Sequence, residues 1–168
     1  METVKTITLS TAIVVAFAIV LMIIQLILRK AKSKIDEDGK IQRSFCIWFV
    51  TLLLSGTFII AKMVAVFSEA VDNIYKINPS GAVLESFKTG ALFTGLSIVW
   101  LLLWYFIANI LSVLNTGKRN EANEVAADNY VFFLIRGMVL IGLSICLLPV
   151  FEIILRAFLP GVQVLFYH

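Results

Sequence analysis

The chain has 168 residues, of which 60% are hydrophobic and 15% charged, with a formal net charge of +3 at pH 7. A mean hydropathy of +0.97, with a charged fraction well below the quarter usual for water-soluble chains, excludes an ordinary soluble domain. The positive balance acts as a membrane-orientation signal, and no direct nucleic-acid partner is expected, because that needs a concentrated basic face on a soluble element.

The first apolar run, Ile7 to Leu28, holds 22 residues and no charge. This exceeds the ~20 residues that cross a ~30 Å hydrocarbon core at ~1.5 Å per residue. The run is too long for a signal-peptide core, and no small-residue cleavage site precedes the basic cluster that follows it. That cluster, Arg29, Lys30, Lys32, Lys34, Lys40 and Arg43, predicts a cytoplasmic connector at 29–44 and an N-terminus on the other side. It also offers a surface to anionic lipid or to a soluble cytoplasmic partner. The acidic turn Asp36-Glu37-Asp38-Gly39 within it lacks the spaced ligands of a calcium loop and balances the lysines.

A second span is predicted over 45–67, with Lys62 as its single charge. The outer connector, 68–88, centres on Asn78-Pro79-Ser80-Gly81, a turn in which Pro79 also blocks the glycosylation sequon. Its flanks read as helical continuations, so spans two and three are expected to project beyond the lipid as a hairpin. The third span, 89–114, has 26 residues and no charge, and is followed by a polar cytoplasmic connector at 115–129. The fourth, 130–159, carries Arg136, Glu152 and Arg156, with Pro149 expected to kink it. The expected fold is thus an all-α integral membrane protein, a single membrane domain over 1–168. Its four transmembrane helices form two helical hairpins, since continuously apolar runs suit helices rather than a barrel. Connectors one and three together hold eight Lys and Arg, against four on the opposite side, so both termini are expected on the non-cytoplasmic face of a bacterial inner membrane.

One polar residue from each span lies roughly 5 to 9 Å below the inner boundary: Gln25, Thr51, Asn109 and Arg136. As a ring they would line a conduit or ligand site with a fixed positive charge. The competing reading is interhelical hydrogen-bond glue with a snorkelling arginine. Near the other boundary, Lys62, Glu152 and Arg156 form a candidate outer charge cluster, with Glu152 and Arg156 at the i, i+4 spacing of a helical pair. This is either an outer gate or interfacial snorkelling. Small-xxx-small pairs (Ala12/Ala16, Thr51/Ser55, Ala91/Gly95) point to close helix packing, and Trp100 and Trp104 share a face given to packing. Cys46 and Cys146 differ in depth by roughly 20 Å, too far for a disulfide, and are expected as free, buried thiols.

An offset of 86 residues overlays Thr51 on Gly137, Gly56 on Gly142 and Arg43 on Asn129. With the polar connector leading through Asn129 into a helix bearing Gly137 and Gly142, the chain resembles a duplicated-hairpin family of bacterial inner-membrane proteins, the domain of unknown function number three hundred and fifty. Tyr130, Val131 and Phe132 stand where that family has small residues after its Asn. The resemblance implies a four-helix architecture and no settled activity.

Enzymatic chemistry has no sequence support. His168 is the only His, and no HExxH, GxSxG or glycine-rich phosphate loop occurs, so no catalytic residue, cofactor or metal is expected. The leading functional expectation is a homo-oligomeric membrane assembly component with channel or pore activity, because four short helices enclose little space alone. The alternative is a membrane anchor or sensor subunit that recruits a soluble partner through the basic connector, as in a bacterial stress or phage-defence system. A small dimeric transporter is a further alternative, weakened by the absence of a deep coupling carboxylate.

Overall fold

The computed structural model describes residues 2–29, 41–117 and 119–160. The expectations for Lys30, Lys32, Lys34 and Lys40, for the acidic turn at 36–39, for Lys118 and for His168 lie outside these residues. Those described fold into six helices: α1 (Glu2–Arg29), α2 (Arg43–Ile77), α3 (Ala82–Thr116), α4 (Glu121–Ala126), α5 (Tyr130–Cys146) and α6 (Leu148–Arg156). By length and composition α1, α2 and α3 are each able to cross a membrane, and α5 with α6 makes a fourth such segment if the bent pair is one span.

Long runs of Leu, Ile, Val and Phe without an interior proline let α2 and α3 continue for 35 residues each, about 52 Å at 1.5 Å per residue. They are joined by a turn in which the Asn78 Oδ1 accepts hydrogen bonds from Ser80 Oγ at 2.9 Å and from the Gly81 N–H at 3.2 Å. The helical pair is therefore longer than a ~30 Å hydrocarbon core.

The apolar run 130–159 is not one helix. It breaks at Leu147, and α6 leaves α5 at 43°. Pro149, in the first turn of α6, has no N–H to donate back to the preceding turn, and its ring crowds the carbonyl four residues earlier.

α2 lies at the centre, packing on α1, α3, α5 and α6, while α1 and α5 both pack on the α2–α3 pair. α2 and α5 run parallel and in step, as three contacts along them show. Near the start of both helices the Ser44 N–H donates to Asp128 Oδ1 at 2.9 Å. Further on, Thr51 meets Gly137, and beyond that Lys62 reaches Glu152 in α6. A β-carbon on Gly137 would lie 2.5 Å from Thr51 Oγ1, so the closeness of the two helices depends on that glycine. On the other side of α2, Gly56 receives Ile24 and Val20 of α1 in the same manner.

The bundle interior holds Trp48, Leu52, Ile59, Met63, Phe67, Phe93, Phe133 and Leu140, all essentially inaccessible. Trp100 stacks on Phe151 at 5.3 Å between centroids and meets Trp104 edge-on, so this pair packs within the chain. Large apolar side chains also cover the outside, including Val14, Leu84, Val99, Phe106, Ile110 and Met138. Cys46 and Cys146 are free but exposed, correcting the expectation of burial: each stands on the outward side of its helix among apolar residues. Of the small-residue pairs, Thr51 and Ser55 are buried, whereas Ala91 and Gly95 are accessible and line a groove between α3 and α1.

Candidate functional site: a caged arginine

The connector after α3 folds back onto the bundle. Asn120 caps α4 by accepting from the Ala122 N–H at 2.9 Å, and Val125 on the inner side of this short helix is buried. Asp128 turns the chain with a positive φ of 45°, a conformation that Asp tolerates better than most residues, while its carboxylate caps the N-terminus of α2 through Ser44. Asn129 then caps α5, accepting from the Phe132 N–H at 3.4 Å and donating from its Nδ2 to Glu124 at 2.6 Å. Three short polar side chains thereby fix where α4 and α5 begin, and hence where Glu121 and Arg136 meet.

Arg136 projects from α5 into the packed interior and is 1% exposed. Its Nη1 lies 2.6 Å from Glu121 Oε1. The guanidinium carbon stands 4.5 Å from the centroid of the Trp48 ring and 5.4 Å from that of Tyr105, within cation–π range of both. The Tyr105 hydroxyl donates to the same Glu121 oxygen at 3.4 Å, and the Phe133 ring packs against Trp48 in a tilted arrangement with centroids 5.9 Å apart. Taking an arginine out of water costs several kcal/mol, and only a close, well-oriented counter-charge offsets it. Here that counter-charge comes from α4. The Nε and Nη2 of Arg136 and the Nε1 of Trp48 have no protein partner among the described residues. Chemically, the arrangement is a charge pair whose cation is enclosed by aromatic faces and whose carboxylate stays partly exposed.

The four residues expected in one polar layer take separate positions. Arg136 is buried in the cage. Thr51, also buried, gives its hydroxyl to the Ile47 carbonyl of its own helix at 2.8 Å rather than to a neighbouring helix. Asn109 is partly exposed in a groove between α1 and α3, and Gln25 is exposed on α1. The structure thus brings none of them into side-chain contact with another as a ring.

At the opposite end, Lys62 Nζ lies 2.7 Å from Glu152 Oε2, and Arg156 Nε lies 3.0 Å from Glu152 Oε1. Arg156 Nη1 also reaches Glu69 Oε2 at 2.8 Å. The predicted trio therefore meets, and Glu69 of α2 joins it as a fourth member. These side chains are partly solvent-accessible, so they pin α6 to α2 with little intrinsic strength per pair. Arg29 and Arg43 are exposed at the two ends of the first connector. Among the described residues, no three of His, Cys, Asp and Glu converge as metal ligands would.

Spacing along the chain gives no hint of Trp48, Tyr105 or Glu121 as partners of Arg136. The one local signal is Asn120 followed by Glu121 and Glu124, a helix start with acidic residues in its first turn. Comparison of the chain with protein-family models, curated proteins and solved structures finds no match.

Proposed function

We propose that this chain is an integral protein of the bacterial inner membrane, a homo-oligomeric assembly component with channel or pore activity whose path runs between subunits. The observation that carries the reading is the direction taken by the polar layer. Arg136 is neutralised by Glu121 and enclosed by aromatic rings, and Thr51 is committed to its own helix, so the two inward members fill the bundle centre. Gln25 stands instead on the outer surface of α1 beside the exposed Met22 and Leu26, where hydrocarbon gives its amide no partner. A second copy meeting this surface satisfies the amide through an interhelical bond, and closed symmetry repeats the contact around a ring. The basic first connector supports an orientation with both termini on the non-cytoplasmic side. The resemblance to the duplicated-hairpin family contributes a four-helix architecture and no activity.

Native mass spectrometry of the protein extracted with its surrounding lipid tests the assembly. The expected result is a closed homo-oligomer that Gln25→Leu weakens, with ion currents in planar bilayers lost alongside it. A monomer without currents refutes the proposal. A stoichiometric soluble companion moves the assignment to the second reading, a membrane anchor or sensor, which the exposed Arg29 and Arg43 flanking the basic connector favour.

A further inference from the structure

The groove that holds Asn109 is the part of the molecule that best defines a ligand. It lies between α1 and α3, has a volume of about 710 Å³, and closes at one end against α4. Leu102, Phe106, Asn109 and Val113 recur at spacings of three and four, so one face of α3 forms its length. Eleven residues separate Leu102 from Val113, about 16 Å of helix at 1.5 Å per residue. That is about half of a ~30 Å hydrocarbon core, the depth of a single leaflet. Opposite stand Ile23 and Ile27 of α1, so the long wall is apolar.

The α4 end differs in kind. Asn109, Arg119, Asn120 and Glu121 line it, which places cationic, anionic and amide groups together at the end of an apolar slot. Among the described residues the charges there balance: Arg119 is paired with Glu124 at 3.2 Å, and Glu121 with the buried Arg136. The C-terminal end of α3, whose last carbonyls carry a partial negative charge, adjoins the same corner. An anionic headgroup gains little from these described side chains, which carry no net positive charge. A headgroup carrying a phosphate and a primary ammonium meets a complementary group for each.

We infer that this groove is a binding site for one aminophospholipid. An acyl chain lies along Ile23, Ile27, Leu102 and Phe106, the phosphate faces Arg119 and Asn120, and the ammonium faces Glu121 and the end of α3. The inference rests on the membrane reading above. It gives Glu121 a second role, because the carboxylate that neutralises Arg136 also forms the headgroup wall, so lipid occupancy and the closure of α4 over the arginine are coupled.

The test begins with alkaline carbonate extraction of membranes containing the full chain; release into the supernatant refutes the membrane reading itself. The detergent-solubilised protein then receives equimolar phosphatidylethanolamine, phosphatidylglycerol and phosphatidylcholine with identical acyl chains, and retained lipid is counted by native mass spectrometry. One phosphatidylethanolamine per subunit, kept about tenfold over the other two, is expected, the ratio that one charge-assisted hydrogen bond supplies. Arg119→Ala and Asn109→Leu should each lower retention of all three lipids, whose phosphate is common, and Arg119→Lys should restore part of it, whereas Glu121→Gln should remove the preference for phosphatidylethanolamine, with far-ultraviolet circular dichroism confirming that each variant is folded. Equal retention of all three lipids, or preference for phosphatidylglycerol, overturns the assignment. Displacement of the lipid by glycerophosphoethanolamine or by inorganic phosphate does so as well, since it means that the headgroup chemistry binds without the apolar wall. So does a cross-link between the grooves of two copies through cysteines placed at Phe106, which means that protein fills the slot.

Discussion

Removing the carboxylate of Glu121 should cost far more than removing the charge of Arg136, and the asymmetry follows from where each group sits. Arg136 is 1% exposed, whereas the Glu121 side chain is 23% exposed. With charge centres about 4 Å apart and an effective dielectric constant of about 20, the pair attracts by about 4 kcal/mol. Glu121→Gln deletes that charge–charge attraction, while the amide oxygen keeps a hydrogen bond from Arg136 worth about 1 kcal/mol and the contacts of the cation with Trp48 and Tyr105 are unchanged. The expected loss of stability is about 3 kcal/mol, within the range for breaking a buried pair from one side. Arg136→Met leaves a carboxylate that water already reaches, and a side chain of similar length fills the cage, so the expected loss is about 1 kcal/mol. The double variant Glu121→Gln/Arg136→Met should recover most of what Glu121→Gln loses. Reversible unfolding in mixed micelles, followed by tryptophan fluorescence with Trp48 as the reporter beside the cage, gives the three energies. Amide hydrogen exchange over Glu121–Ala126 reports the release of α4. Equal costs for the two single variants, or no recovery in the double variant, refute the reasoning, because the pair would then be no more than an exposed ion contact.

Gly137→Ala should destabilise by about 1 to 3 kcal/mol, because the new methyl meets Thr51, whose hydroxyl is held by Ile47 and cannot turn away. Gly142→Ala, with nothing within 4 Å, should be neutral or stabilising by up to about 1 kcal/mol, and the same unfolding assay separates the two. Asp128→Ala should cost about 1 to 2 kcal/mol, losing the cap on Ser44 and straining a backbone at positive φ, whereas Asp128→Asn keeps both features and should cost less than half as much. Reversing one charge, by Lys62→Glu or Glu152→Lys, should loosen α6 and raise exchange over Leu148–Arg156. Reversing both should restore part of the protection, because the cation introduced at 152 still faces Arg156, and no recovery at all in the double variant counts against the pairing of α6 with α2.

Some of this arrangement is legible in the sequence because it depends on local chemistry. The turn at Asn78–Gly81 needs only its own side chains, and Pro149 breaks the last apolar run wherever that run packs. The grouping of Lys62, Glu152 and Arg156 is similarly legible, because each is a charge in an apolar run at comparable depth. Glu69 escapes that reading, since it falls among other charges past the end of its run and only the parallel alignment of α2 with α5 and α6 brings it to Arg156. The expected polar layer shows the opposite failure. Depth along a helix follows from counting, but azimuth follows from packing, and the azimuths send Gln25 outward and Arg136 inward.

The sequence by itself determined the helical elements and their apolar, membrane-compatible lengths, because those depend on composition, on the rise per residue and on the need of each backbone to satisfy itself. Only the tertiary structure decided that α2 is central, that it runs in step with α5 through a close contact at Gly137, and that a six-residue helix in a polar connector supplies the partner of a buried arginine. The physical reason is that the affinity of a segment for apolar surroundings is a sum over its own residues. The counter-charge chosen by Arg136 depends instead on how the chain folds back across α4, and no sum over neighbours in sequence contains that term.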